Sequence, residues 1–102
     1  MANQQYLYLT TIGHKTGKLH EIEIWYVEHD DCYYLIAEHS EKAHWVQNIR
    51  ANPKITYRLG DDTVNGIGSI PTDVEQITAV KAKMDEKYNW SDGLVVQLCA
   101  DV

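Results

Sequence analysis

The chain has 102 residues, 44% hydrophobic and 24% charged, with a formal charge of −6. This matches one globular unit, expected to span 1–102, with a core of useful size. The acidic balance excludes a general binder of nucleic acid or anionic membrane, whose affinity comes from clustered Lys and Arg.

Tyr6 to Ile12 is rich in β-branched and aromatic residues and reads as a strand. It runs into Gly13-His14-Lys15-Thr16-Gly17-Lys18, a loop with two glycines, a hydroxyl and three potential cations. Glycine lets a backbone approach a ligand, hydroxyls and free N–H groups donate hydrogen bonds, and lysine adds charge, which together suit a phosphate. The same residues also make an ordinary solvated hairpin turn. Leu19 to Glu28 is the second strand, with His20, Ile22, Ile24 and Tyr26 on one face and Glu21, Glu23, Trp25 and Val27 on the other. Glu21 and Glu23 could form an acid–base pair. They more simply face solvent, or Lys and Arg across a ladder or interface.

After the turn at His29-Asp30-Asp31, Cys32 to Glu38 reads as a third strand, antiparallel to the second. The period changes beyond Ser40: Ala43, Val46, Ile49 and Arg50 recur at helical spacing, Ser40 can cap the start, and Asn52-Pro53 stops the helix. Strands at Lys54 to Leu59 and Thr63 to Ile70 follow. Thr72-Asp73-Val74-Glu75 is a capping-box pattern for a helix ending near Tyr88, with Val74, Ile77, Val80, Ala82 and Met84 on its apolar side. Leu94 to Leu98 is the last strand. The order β-β-β-α-β-β-α-β predicts a mainly β fold, a small barrel or half-open sheet with two short helices.

Cys32 and Cys99 have no metal-site spacing and read as buried free thiols of a protein in a reducing, cytoplasmic setting. His39, Glu41 and His44 lack the spacing of a metal site, so none is expected. Met1 leads into polar Asn3-Gln4-Gln5, not a signal peptide, and no run is apolar enough to span a membrane. The seven Tyr and three Trp beside no Phe suit clefts and interfaces, where one end of a ring is dry and the other wet. An open barrel of this size leaves sheet surface for a second copy, and Trp25, Tyr26, Tyr33 and Tyr34 suit that closure.

Three segments carry a family resemblance: Leu9-Thr10-Thr11-Ile12-Gly13-His14-Lys15-Thr16-Gly17, Glu21-Ile22-Glu23-Ile24-Trp25-Tyr26-Val27, and His44-Trp45-Val46-Gln47-Asn48-Ile49-Arg50-Ala51-Asn52-Pro53. In this order they resemble the deazaflavin-dependent nitroreductase family, in the FMN-binding split β-barrel group related to pyridoxamine 5′-phosphate oxidase. The resemblance implies a split barrel, a homodimer with the cofactor near the interface, and FMN or the deazaflavin coenzyme as cofactor. It further implies hydride transfer to a small electrophile, a quinone or a nitro compound. By position, Lys15, Thr16, Lys18 and His20 would hold the cofactor phosphate. Trp45 and Asn48 would border the ring, with Ile36, Ala37 and His39 along the strand end beside it. His14 and His20 stand where relatives place arginine, and Glu38-His39-Ser40-Glu41-Lys42 replaces a Gly-Gly turn. These departures keep a second reading open: a non-catalytic split barrel that binds FMN or another anionic small molecule.

Overall fold

The computed structural model describes residues 6–101. The polar start at residues 1–5, on which the expectation of no signal peptide rests, lies outside them. The elements run β1 (Tyr6–Ile12), β2 (Leu19–Trp25), β3 (Val27–His29), β4 (Cys32–Ala37), α1 (His44–Ala51), β5 (Lys54–Leu59), β6 (Asp62–Ser69), α2 (Val74–Tyr88) and β7 (Leu94–Ala100). The seven strands form one sheet in the order β2-β1-β5-β6-β7-β4-β3, with every neighbouring pair antiparallel.

β2 and β3 are the two edges of this sheet, yet only Tyr26 separates them along the chain. The sheet must therefore curl until its edges meet, which makes it a split half-barrel. The expected strand Leu19–Glu28 is for this reason two strands: Ile22 and Ile24 pair with Leu9 and Leu7 of β1, whereas Val27 pairs with Tyr34 of β4. Alternation continues through the corner, so a period-two pattern cannot reveal it. The Tyr26 N–H donates to the Tyr88 hydroxyl at 3.1 Å, and that hydroxyl donates back to the Tyr26 carbonyl at 2.9 Å. The corner's backbone groups are thus satisfied outside a ladder.

Two apolar clusters follow from the curl. Leu7 and Leu9 of β1, Leu35 of β4, Tyr57 of β5 and Leu98 of β7 fill the barrel, and Val46 and Ile49 of α1 close it. On the opposite face of β4 and β7, Tyr34, Ile36 and Val95 pack under Val80 and Met84 of α2. This double coverage explains the continuous buried run from Tyr34 to Ala37.

Several sequence expectations are corrected. β4 ends at Ala37, one residue before Glu38, β6 runs from Asp62 to Ser69, and β7 extends to Ala100. Ser40 opens a 3-10 turn at φ 52°, and α1 starts after Ala43 without a side-chain cap. At α2 the cap is Asp73, not Thr72; its carboxylate accepts the Glu75 N–H at 3.2 Å. The apolar side of α2 is Ile77, Val80 and Met84. Val74 and Ala82 are exposed, since Ala82 lies about 200° around the helix from Val80.

The reading of Cys32 and Cys99 as free thiols is also corrected, because they form a disulfide. The β4–β7 register pairs Tyr33 with Leu98, which places the two cysteines opposite one another with their Cα atoms 4.7 Å apart. The rings expected to close a dimer are occupied within the chain. Trp25 stacks on Tyr88 at 4.5 Å, Tyr26 and Tyr57 flank Tyr33, and Tyr34 is buried under α2. Among the described residues, no helix is long and apolar enough to cross a membrane.

Candidate cofactor groove

The hairpin between β1 and β2 is closed by backbone bonds from Gly13 N–H to the Lys18 carbonyl (2.7 Å) and from Gly17 N–H to the Gly13 carbonyl (2.9 Å). Gly17 has φ +72°, a conformation that favours glycine. Gly13 is required for space instead. A Cβ there would lie 2.8 Å from both the His20 ring and the Thr16 hydroxyl, so the backbone, His20 and Thr16 pack as one wall.

Asn48 of α1 anchors this wall from below. It is buried; its side-chain oxygen accepts the His14 backbone N–H at 3.0 Å and lies 2.6 Å from His14 Nδ1, while its amide donates to the Thr11 hydroxyl at 2.9 Å. Thr11 is buried because it continues the inward face of Leu7 and Leu9. A 3-10 turn at Ser40–Lys42 leads into α1 and is fastened to it by the Glu41–Arg50 ion pair and by Gln47 Nε2 on the Glu41 carbonyl at 3.2 Å.

Between the hairpin, the edge strand β2 and α1 lies a groove with two chambers. The first, of about 470 Å³, is called the polar chamber for the side chains of Lys15, Thr16, His14, His20, His44 and Asn48 on its walls, although most of its surface is apolar. The second, of about 640 Å³, is apolar and aromatic, bounded by Trp25, Trp90, Tyr6, Ile24, Ile36 and Ala37, with Glu38 and His39 among its lining. Trp45 and Ile22 border both and form the waist between them. Because β2 is an edge strand, residues from both its faces, Ile24 and Trp25 alike, reach the second chamber.

Of the residues expected at a cofactor, Lys15, Thr16, His20 and Asn48 line the polar chamber, and Ile36, Ala37 and His39 the aromatic one. Trp45 joins the two. Lys18 lines neither; its backbone N–H turns back to the Thr16 hydroxyl at 3.2 Å. The sequence reading missed Ile22 and Ile24, although their period-two relation to His20 on one face of β2 was the available signal. It also missed His44, Tyr6 and Trp90, whose placement depends on the fold. Trp25 was read as an interface ring.

Glu21 and Glu23 each find a partner on another strand of the sheet. The Tyr8 hydroxyl donates to Glu23 Oε2 at 2.7 Å, and Arg58 lies 3.9 Å from Glu21 with its guanidinium over the Tyr8 ring. The bond to the Glu23 carboxylate is the main cause raising the Tyr8 pKa. Among the described residues, no three His, Cys, Asp or Glu side chains converge as a metal site.

The donor set fits a flavin-like cofactor. A lysine, a hydroxyl and imidazoles suit a phosphate, and the apolar chamber next to them suits a fused planar ring.

A family model for F420H(2)-dependent quinone reductase matches residues 1–100. Among solved structures, the chain is similar to an F420-H2 dependent reductase (FDR-A) at 19% identity and TM-score 0.74, covering 96% of each chain. It is also similar to a candidate pyridoxamine 5′-phosphate oxidase from Listeria innocua (14% identity, TM-score 0.77, 96% of this chain and 85% of the other). A third likeness is to the heme storage protein HutZ from Vibrio cholerae (17% identity, TM-score 0.78, 98% and 84%). At these identities the structural likenesses establish the split-barrel fold.

Proposed function

The chain belongs to the F420H(2)-dependent quinone reductase family, and from that premise we propose that its two-chamber groove binds the deazaflavin coenzyme and serves hydride transfer to a small electrophile, a quinone or a nitro compound. One observation carries the reading: the hairpin chamber with Lys15 adjoins the aromatic chamber, Trp45 and Ile22 bordering both, so one ligand with an anionic tail and a planar head matches the side chains of the two. When bound, the reduced deazaflavin supplies the hydride.

In this reading Lys15, Thr16 and His20 hold the phosphate, and Asn48 keeps the hairpin in place. Trp45, Ile36, Ala37 and Ile24 flank the ring and exclude water from it. His39, exposed and lining the aromatic chamber, exchanges a proton with the reduced electrophile in this reading. Tyr26 is buried, lines neither chamber and has its pKa raised by burial, so it is not assigned this role.

FMN is the alternative cofactor. Among the described residues lining the polar chamber, Lys15 is the one Lys or Arg, which favours a ligand with one phosphate over one with a long anionic tail and also supports the reading of a non-catalytic binder. Parallel equilibrium titrations with the deazaflavin and with FMN, followed by turnover with a simple quinone, separate the three. Tight deazaflavin binding with quinone reduction supports the proposal, whereas FMN binding alone, or binding without turnover, supports the alternatives.

The working form we propose is a homodimer in the cytoplasm. Leu19, exposed at the hairpin end of β2, offers it apolar surface in place of the rings that pack within the chain. The cysteines lend no support to a reducing compartment, since they are joined.

A further inference from the structure

The polar chamber brings three histidines together with one lysine. His14 comes from the hairpin, His20 from β2 and His44 from the start of α1; Lys15 is the permanent cation and Glu21 the acid on the same wall, with Thr11, Trp45 and Asn48 neutral beside them. Of the three imidazoles, His14 has a hydrogen-bond state that the fold fixes. The Asn48 amide orientation is pinned from two sides: its oxygen must accept the His14 backbone N–H, and its nitrogen lies on the Thr11 hydroxyl. His14 Nδ1, 2.6 Å from that same oxygen, must then carry a hydrogen. In the neutral ring this leaves Nε2 as a lone-pair acceptor, which repels an anionic oxygen. Only the imidazolium presents an Nε2–H donor.

We propose that His14 is a proton-gated anion contact of the groove and Asn48 its positioning residue, so that binding of the cofactor phosphate takes up a proton at His14 Nε2. The inference rests on the function proposed above and adds its regulation. The proton comes from solvent, is held between His14 and the phosphate oxygen, and returns to solvent on release. Coenzyme affinity is therefore highest on the acid side of neutrality and declines as the pH rises. Asp in place of Asn48 would still accept from both His14 nitrogens, and the Thr11 hydroxyl can donate to it in return. Its charge favours the imidazolium and moves the decline to higher pH.

The test is the dissociation constant of the deazaflavin coenzyme between about pH 6 and about pH 8 for the wild-type chain, His14→Gln and Asn48→Asp, with an expected wild-type weakening of about tenfold across that range. His14→Gln should flatten the profile, and Asn48→Asp should shift its midpoint upward. A level wild-type profile, or an unchanged slope in His14→Gln, overturns the inference while leaving the proposed cofactor intact. Failure to bind the coenzyme at either end of the range overturns the proposed function and this inference with it. If Asn48→Asp does not fold, His14→Gln decides alone.

Discussion

One oxygen of Asn48 holds His14 twice, at the backbone N–H (3.0 Å) and at ring Nδ1 (2.6 Å), and so ties the β1–β2 hairpin to helix α1. Replacing Asn48 with Leu leaves the buried Thr11 hydroxyl and the His14 N–H without this partner and should destabilise the fold by about 2–3 kcal/mol. Urea denaturation reads the loss. A variant within about 0.5 kcal/mol of wild type would show that the hairpin is held by other means.

The Tyr88 hydroxyl plays a comparable part at the corner between β2 and β3, where it serves both backbone groups of Tyr26. Tyr88→Phe should cost about 1–2 kcal/mol, chiefly from the Tyr26 N–H, because Lys87 Nζ still donates to the carbonyl at 3.0 Å. Hydrogen exchange at the Tyr26 amide is the sharper measurement. Protection equal to wild type would remove Tyr88 from the corner.

Reduction of the Cys32–Cys99 link, which spans 67 residues of sequence, should lower stability by about 2–4 kcal/mol, since it frees the unfolded chain to open a long loop. Denaturation with and without a dithiol gives the difference. Thiol titration of the unreduced protein should find no reactive cysteine; two free thiols would restore the reading made from sequence.

Alkaline stability follows from the tyrosines. Burial raises the pKa of Tyr26, Tyr33, Tyr57 and Tyr88 above the ordinary value of about 10, so the folded state holds these protons more tightly than the unfolded one. Their contribution is complete below pH about 10 and is lost as the pH climbs through the folded values. Lys87 acts oppositely: burial lowers its pKa, so its unfavourable charge is relieved as the pH rises toward the ordinary lysine value. A tyrosinate absorbance titration should show part of the seven-tyrosine signal ionising late and together with unfolding; complete ionisation near pH 10 in a folded protein would contradict the packing of these four rings.

Much of this architecture was legible because alternation and helical period register burial directly. β1 and β5 have the bounds read from sequence, and α2 ends at Tyr88. What stayed hidden depends on pairing between distant segments. The corner at Tyr26 keeps the alternation intact, and the disulfide becomes evident only once β7 lies beside β4. The site divided in the same way. The hairpin announced itself through glycines, hydroxyls and lysines, whereas the Asn48–His14 tie and the convergence of Trp25, Trp45 and Trp90 required the curled sheet. Lys18 shows the limit of composition: it shares the loop of Lys15 but lines neither chamber.

That convergence provides the most direct test of the central claim that one cofactor occupies both chambers. All three tryptophans of the chain line the aromatic chamber, while Lys15 lines the polar one. Titration with the deazaflavin coenzyme should quench most of the tryptophan emission saturably, and Lys15→Ala should weaken the affinity by about tenfold or more through loss of a charged hydrogen bond while leaving the final quench unchanged. An absence of saturable quenching up to about 50 µM coenzyme, or equal affinity in Lys15→Ala, would contradict the account.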